Sequence, residues 1–298
     1  MDRVRLRWQP RLLHKDHGWP RAGVRIIQAS PVLLEYVSPN LAPAPPAFAV
    51  RDLTFAFGRR RALSGVSLEA RGTVLGLLGP NGAGKSTLLS VLATVLPTRP
   101  GRVEVRGHDV GTRSGRSAAR RCLGWLPQRF DLAAGMTLRE TVAYAAWANG
   151  RPAREALPLA DAALGMVDLQ DLIEARVRTI SGGQRQRLGL ACAIAHHPEI
   201  VLLDEPTVGL DPEQRVRFRE AMAAAGRGRT VVLSSHLLDD IAHVCDHVVV
   251  LDRGRIRFRG TPADLAGLAA GDDSGRGMSA LEAGYLRALS AGGQDDAA

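Results

Sequence analysis

The chain has 298 residues, 45% of them hydrophobic, with a formal net charge of +9 and three cysteines. That length and apolar share suit one large domain or two small ones, and no apolar run reaches the ~18–20 residues a bilayer-spanning helix needs. Cys122, Cys192 and Cys245 are far apart without a CxxC pair, which fits reduced thiols rather than a disulfide framework. Lys15 and Lys85 are the only lysines, so a compact ammonium at position 85 stands out against a background of arginine. The positive charge is scattered among acids rather than gathered into a patch, so no nucleic-acid partner is expected from it.

Residues 1–46 carry seven basic residues and three acids, and five prolines crowd into 31–46. Proline at that density removes ladder donors and resists helix, so a Pro/Arg-rich flexible arm is expected, with no leader-type apolar segment in the first thirty residues. From residue 48 the pattern becomes regular. "AFAVRDLTFAF" and "LSGVSLEA" alternate as strands, and "TVLGLLG" is a short apolar strand running into glycine and a helix from about Lys85. "GRVEVRG" and "CLGWLPQ" read as further strands, and residues 137–176 as helical. A helix to about Ala195 follows "SGGQ". Next come the strand "EIVLLDEP", a helix from Pro212, the strand "TVVLSSH", a helix from Leu237 and a hairpin around Arg253-Gly254. Buried apolar strands alternating with helices predict an α/β fold with a parallel sheet, flanked by an antiparallel flap and interrupted by a helical insertion over about 130–178.

"GPNGAGKST" at 79–87 fits G-x-x-x-x-G-K-[ST] between a predicted strand and a predicted helix. Its glycines let backbone N–H groups converge on phosphate oxygens at a helix N-terminus, so Gly79, Pro80, Asn81, Gly82, Ala83, Gly84, Lys85, Ser86 and Thr87 are the candidate triphosphate cradle. Lys85 is placed to reach the β- and γ-phosphates and Ser86 to offer its hydroxyl to Mg²⁺. "IVLLDEP" supplies acids at a strand end, Asp204 for the Mg²⁺ shell and Glu205 to orient or deprotonate water.

The P-loop, "SGGQ", "LLDEP", "GLDP" and "SSH", in that order, resemble the ATP-binding cassette (ABC) ATPases over roughly residues 48–260. A GTPase would carry Asn-Lys-x-Asp, and two lysines leave nowhere to place it. The resemblance implies a P-loop NTPase (RecA-like) core, ATP and Mg²⁺ as ligands, and two cassettes packed head to tail. Each ATP then lies between one copy's P-loop and the other's Ser181, Gly182, Gly183 and Gln184. It further implies that Gln128 contacts Mg²⁺ and water, and that His236 holds the γ-phosphate and the catalytic water. Asp211 belongs to the loop coupling the two sites, and Phe57 stacks on adenine, although core packing of Phe55 and Phe57 is an alternative. Ile180 stands where the family usually has Leu, and Val208 where it usually has a small or polar residue.

On this resemblance the chain is the ATPase subunit of a transporter, with cassette 47–260 and a short helical tail 261–298. It is a homodimer, or pairs with another cassette, on a separate integral-membrane subunit at the inner face of the cell membrane. The 38 residues after Gly260 resemble the drug- and antibiotic-exporter (ABC-2) type more than sugar importers, which carry a long C-terminal barrel. A soluble cassette acting on nucleic acid or ribosomes is the alternative, favoured only by the arginine-rich arm.

Overall fold

Alternation and unbroken apolar runs sort the strands into two sheets. Phe48–Phe57 (β1) and Arg60–Ala70 (β2) pair antiparallel from Phe48↔Ala70 to Phe57↔Arg60, burying Phe48, Val50, Leu53, Leu63, Val66 and Leu68. Val103–Val105 (β4) and His108–Asp109 (β5) complete this flap in the order β2-β1-β4-β5. The apolar runs Val74–Leu78 (β3), Leu123–Leu126 (β6), Ile200–Asp204 (β7), Thr230–Ser235 (β8) and His247–Asp252 (β9) are almost wholly buried, as the interior of a parallel sheet requires. They run parallel in the order β9-β3-β8-β7-β6, and Arg255–Gly260 (β10) adds an antiparallel edge to β9. Both residues of that hairpin turn, Arg253 and Gly254, have positive φ (45° and 77°), as tight two-residue hairpins demand. The computed structural model describes residues 46–269 and 278–291. The expected arm therefore lies outside the described residues up to position 45, as do 270–277 and 292–298 of the expected tail.

Each strand sends alternate residues to opposite layers. Leu75, Leu77, Ile200, Leu202, Val232, Val249 and Leu251 face helix Lys85–Leu92 (α1) and the flap. Val201, Leu203, Val231, Leu233, Val248 and Val250 face Gly182–Ile194 (α5), Pro212–Gly226 (α6) and Leu238–Val244 (α7). Leu138–Ala148 (α3) and Ala153–Met166 (α4) continue that second layer within the stretch expected to be helical. Each fully buried Leu, Val or Ile contributes roughly 1.5–3 kcal/mol, so these two layers hold the sheet's strand ends in place.

Arg113–Cys122 (α2) was not expected. Its sequence, RSGRSAARRC, has almost no apolar face; it forms because Thr112 caps it by accepting from Gly115 N–H, and it buries only Gly115 and Ala119. Pro262–Gly267 (α8) and Ala280–Ala291 (α9) form the described part of the tail, and Gly284 lets them touch: a Cβ there would lie 1.8 Å from Leu265 O.

Candidate functional site

The carboxyl ends of parallel strands are where an open α/β sheet presents its chemistry. β3 delivers the loop 79–84, β7 delivers Asp204 and Glu205, and β8 delivers Ser234, Ser235 and His236. The loop must stay close to its neighbours. A Cβ at Gly79 would meet Leu251 O at 2.1 Å, and one at Gly84, where φ is 107°, would meet Ala62 O at 2.6 Å. Helix α1 starts at Lys85 with no side-chain cap and no acid in its first turn, which suits an anion at its N-terminus. Lys85 is buried. Its Nζ donates to Gly79 O at 2.6 Å and Pro80 O at 3.3 Å, and lies 3.3 Å from Glu205 Oε1.

The two acids are held differently. Asp204 Oδ1 accepts from Ser86 Oγ at 3.0 Å and from Ser234 Oγ at 2.6 Å. Burial pushes its carboxyl above the usual carboxylate range, and those two hydroxyls work against the shift. Glu205 has φ 49°, a left-handed conformation that costs an L-residue roughly 1–2 kcal/mol. Its N–H is tied to Ser234 Oγ at 2.9 Å and Ser234 O at 3.2 Å, and His236 Nδ1 donates to its Oε2 at 2.7 Å. A buried carboxylate thus sits between an ammonium and an imidazole that is itself 44% exposed.

A cavity of about 410 Å³ opens over these groups, lined by Phe57, Arg60, Arg61, Ala62, residues 81–87, Gln128 and Glu205. Gly79 and Pro80 lie behind it through their carbonyls on Lys85, Asp204 lies beneath Ser86, and His236 joins through Glu205. Phe57 is 54% exposed at this cavity, whereas Phe55 packs partly against the flap core, with the two ring centroids 5.1 Å apart. The strand therefore divides its aromatics, one to the core and one to the cavity. Ser86 and Asp204, joined at 3.0 Å, offer side-chain oxygens beside a cavity that Gln128 also lines, the chemistry that suits a hard divalent cation.

Ser181, Gly183, Gln184 and Asp211 are not brought to that cavity. They line a separate one of about 150 Å³ with Arg187, Glu213, Gln214 and Arg217, while Gly182 opens α5 beside them. Ser181 Oγ accepts from Gln184 N–H at 3.2 Å and Gln184 Oε1 accepts from Ser181 N–H at 2.8 Å, a capping box. Asp211 caps α6 by accepting from Gln214 N–H at 2.8 Å, and a Cβ at Gly183 would strike Gln214 Oε1. Sequence reasoning missed Arg60 and Arg61 at the first cavity, and Ser234, Thr207 and Asp240 behind it. The β7–β8 register, which sets Ser234 opposite Asp204, is the signal that finds Ser234, and it exists only once the sheet is built.

Comparison with known proteins gives the family. Residues 63–208 match the family model described as ABC transporter. The chain is 40% identical over 218 residues to the daunorubicin resistance ATP-binding protein DrrA3 of Streptomyces coeruleorubidus, covering 72% of this chain and 68% of that one. It is 37% identical over 246 residues to the methionine import ATP-binding protein MetN of Caulobacter vibrioides, covering 81% and 74%. The solved structure of cbiO1 from Clostridium perfringens, part of the ABC transporter complex cbiONQ, superposes with a TM-score of 0.68 at 27% identity over 74% of this chain and 91% of that one. The chain belongs to the ABC transporter family, as an ATP-binding subunit whose ATP hydrolysis is coupled to transport.

Proposed function

We propose that the 410 Å³ cavity binds Mg-ATP and that a second copy closes it with Ser181, Gly182, Gly183 and Gln184, driving a separate integral-membrane subunit. What carries this reading is Glu205, fixed at the end of β7 between Lys85 Nζ at 3.3 Å and His236 Nδ1 at 2.7 Å. Phe57 offers its exposed ring to adenine, and the uncapped start of α1 with Lys85 takes the phosphates. Ser86, Gln128 and Asp204 would hold Mg²⁺, which when bound draws charge from the phosphate oxygens. Glu205 then accepts a proton as a water oxygen bonds to the γ-phosphorus and the bond to the ADP oxygen breaks. His236, donating to Glu205 Oε2 at 2.7 Å, keeps the carboxylate aimed. Closing by a second copy is supported by the two cavities sharing no lining residue, so that Ser181 and Asp211 line no part of the cavity over Lys85 and Glu205.

The cassette is residues 47–260, with its helical insertion at about 130–178 as the face for the membrane subunit and 261–298 as a tail. Among the described residues no helix is long and apolar enough to cross a membrane, and cbiO1 is part of a larger transporter complex. Export is the direction we favour, on helices α8 and α9 in the described residues after Gly260 and on the likeness to a resistance protein. Glu205→Gln tests the core of this reading. The variant should bind ATP, give a dimer with Mg-ATP by light scattering, and lose nearly all hydrolysis; hydrolysis at the wild-type rate would remove Glu205 from its role.

A further inference from the structure

Glu205 and His236 stand on neighbouring strand ends, and each is followed by chain that sets its angle. Glu205 leads into residues 206–211, and His236 leads into α7. One buried polar contact joins these two stretches. Thr207 Oγ1 donates to Asp240 Oδ2 at 2.6 Å, and both residues are 2% exposed. Arg219 of α6 places Nη1 3.8 Å from Asp240 Oδ1, so this carboxylate of α7 meets both the stretch after Glu205 and α6. A carboxylate withdrawn from water is costly unless bonded, so this contact resists being broken and fixes the stretches against each other. Thr207 is two residues from Glu205, and Asp240, in the first turn of α7, is four residues from His236. Glu205 needs such restraint, because its φ of 49° persists only where surroundings impose it.

We propose that the Thr207–Asp240 hydrogen bond is a latch that keeps Glu205 and His236 in register for hydrolysis. Thr207 and Asp240 are positioning residues and touch no substrate. The proposal rests on the roles given above to Glu205 and His236. Opening the latch lets the two loops drift, and a displacement of the order of 1 Å near a reacting centre costs up to about a hundredfold in rate. ATP affinity is untouched, because the loop 79–87, Lys85 and Phe57 lie elsewhere.

Steady-state kinetics on the full chain test this with Thr207→Val, Thr207→Ser, Asp240→Asn and the Val/Asn double variant, beside Glu205→Gln. Thr207→Val keeps shape and loses the donor, so kcat should fall about tenfold or more with KM for Mg-ATP within about twofold. Thr207→Ser restores the hydroxyl and should recover most of that loss. Asp240→Asn, which leaves a weaker acceptor, should lower kcat alone and by less, and serves if the valine variant does not fold. The double variant should be no slower than Thr207→Val, since both changes break one bond. A wild-type kcat in Thr207→Val, a serine variant as slow as the valine one, or a loss confined to KM would each overturn the latch. If Glu205→Gln is inactive while Thr207→Val and Asp240→Asn turn over normally, only the latch falls; if Glu205→Gln hydrolyses normally, the reading beneath it falls too.

Discussion

His196 shows what burial does to one side chain outside the cavity. It follows the end of α5 and is 2% exposed; its Nε2–H donates to Leu123 O at 2.9 Å, and its Nδ1 is buried without a hydrogen-bond partner. Desolvation lowers its pKa from 6.5 to about 4, opposed by the bond to Leu123 and helped by the charges of Arg151, His197 and Arg229. The folded chain therefore binds this proton more weakly than the unfolded one. Its contribution to stability is full above about pH 6.5 and is lost as pH falls towards 4, by at most about 3 kcal/mol. Asp204, raised by burial, gives a slope of the opposite sign, so the informative quantity is the difference between wild type and His196→Gln. In urea unfolding the wild-type midpoint should drop relative to the variant between pH 7 and pH 5; parallel curves would contradict the buried neutral imidazole. At this scale Lys85, Asp204, Glu205 and His236 are readable in the sequence because local motifs announce them. Ser234 and Thr207 are not, because their partners Asp204 and Asp240 stand 30 and 33 residues away, and only the pairing of β7 with β8 and the packing of α7 bring them together.

Helix α5 carries two demands on the same residues. "SGGQ" is a capping box that starts the helix, and it is also the stretch expected to meet a second copy's phosphate. The demands are compatible. A cap serine uses an oxygen lone pair to accept from Gln184 N–H and keeps its own O–H to donate to an anion. They can also be separated. Ser181→Ala removes the cap and should cost about 1 kcal/mol of stability. Ser181→Asp keeps a capping oxygen and adds a charge favourable to the helix N-terminus, so its melting temperature should stay near wild type. That same charge faces an incoming phosphate, so the aspartate variant should lose ATP-dependent pairing. An aspartate variant that still pairs would mean Ser181 only caps. Helix readability follows apolar content. α3, with its Thr137–Glu140 capping box and buried Leu138 and Val142, is announced by pattern, whereas α2 is polar enough to pass for a loop. The sheet was readable for the reverse reason, since runs such as VLLD and VVLSS have no stable place except between two layers.

Among the described residues the two cavities stand apart. The cavity over Lys85 and Glu205 and the cavity over Ser181 and Asp211 have no lining residue in common, and each is fixed by its own helix start, α1 in one case and α5 with α6 in the other. On the proposed reading, completing one site takes a second molecule, and a symmetric pair completes both at once. Complementation separates this from a self-sufficient monomer. Lys85→Ala disables the first half-site and leaves Ser181 intact, while Ser181→Arg blocks the second and leaves Lys85 intact. Each purified variant alone should hydrolyse ATP at background. In a mixture the Ser181→Arg chain contributes an intact cradle and the Lys85→Ala chain an intact signature, so one of the two sites in each mixed pair is whole. Hydrolysis should reappear on mixing, rise with total protein concentration, and vanish when a third chain carrying both changes replaces either partner. A mixture that stays at background, with both variants folded by circular dichroism, would show that the two cavities do not serve one another across copies of this chain.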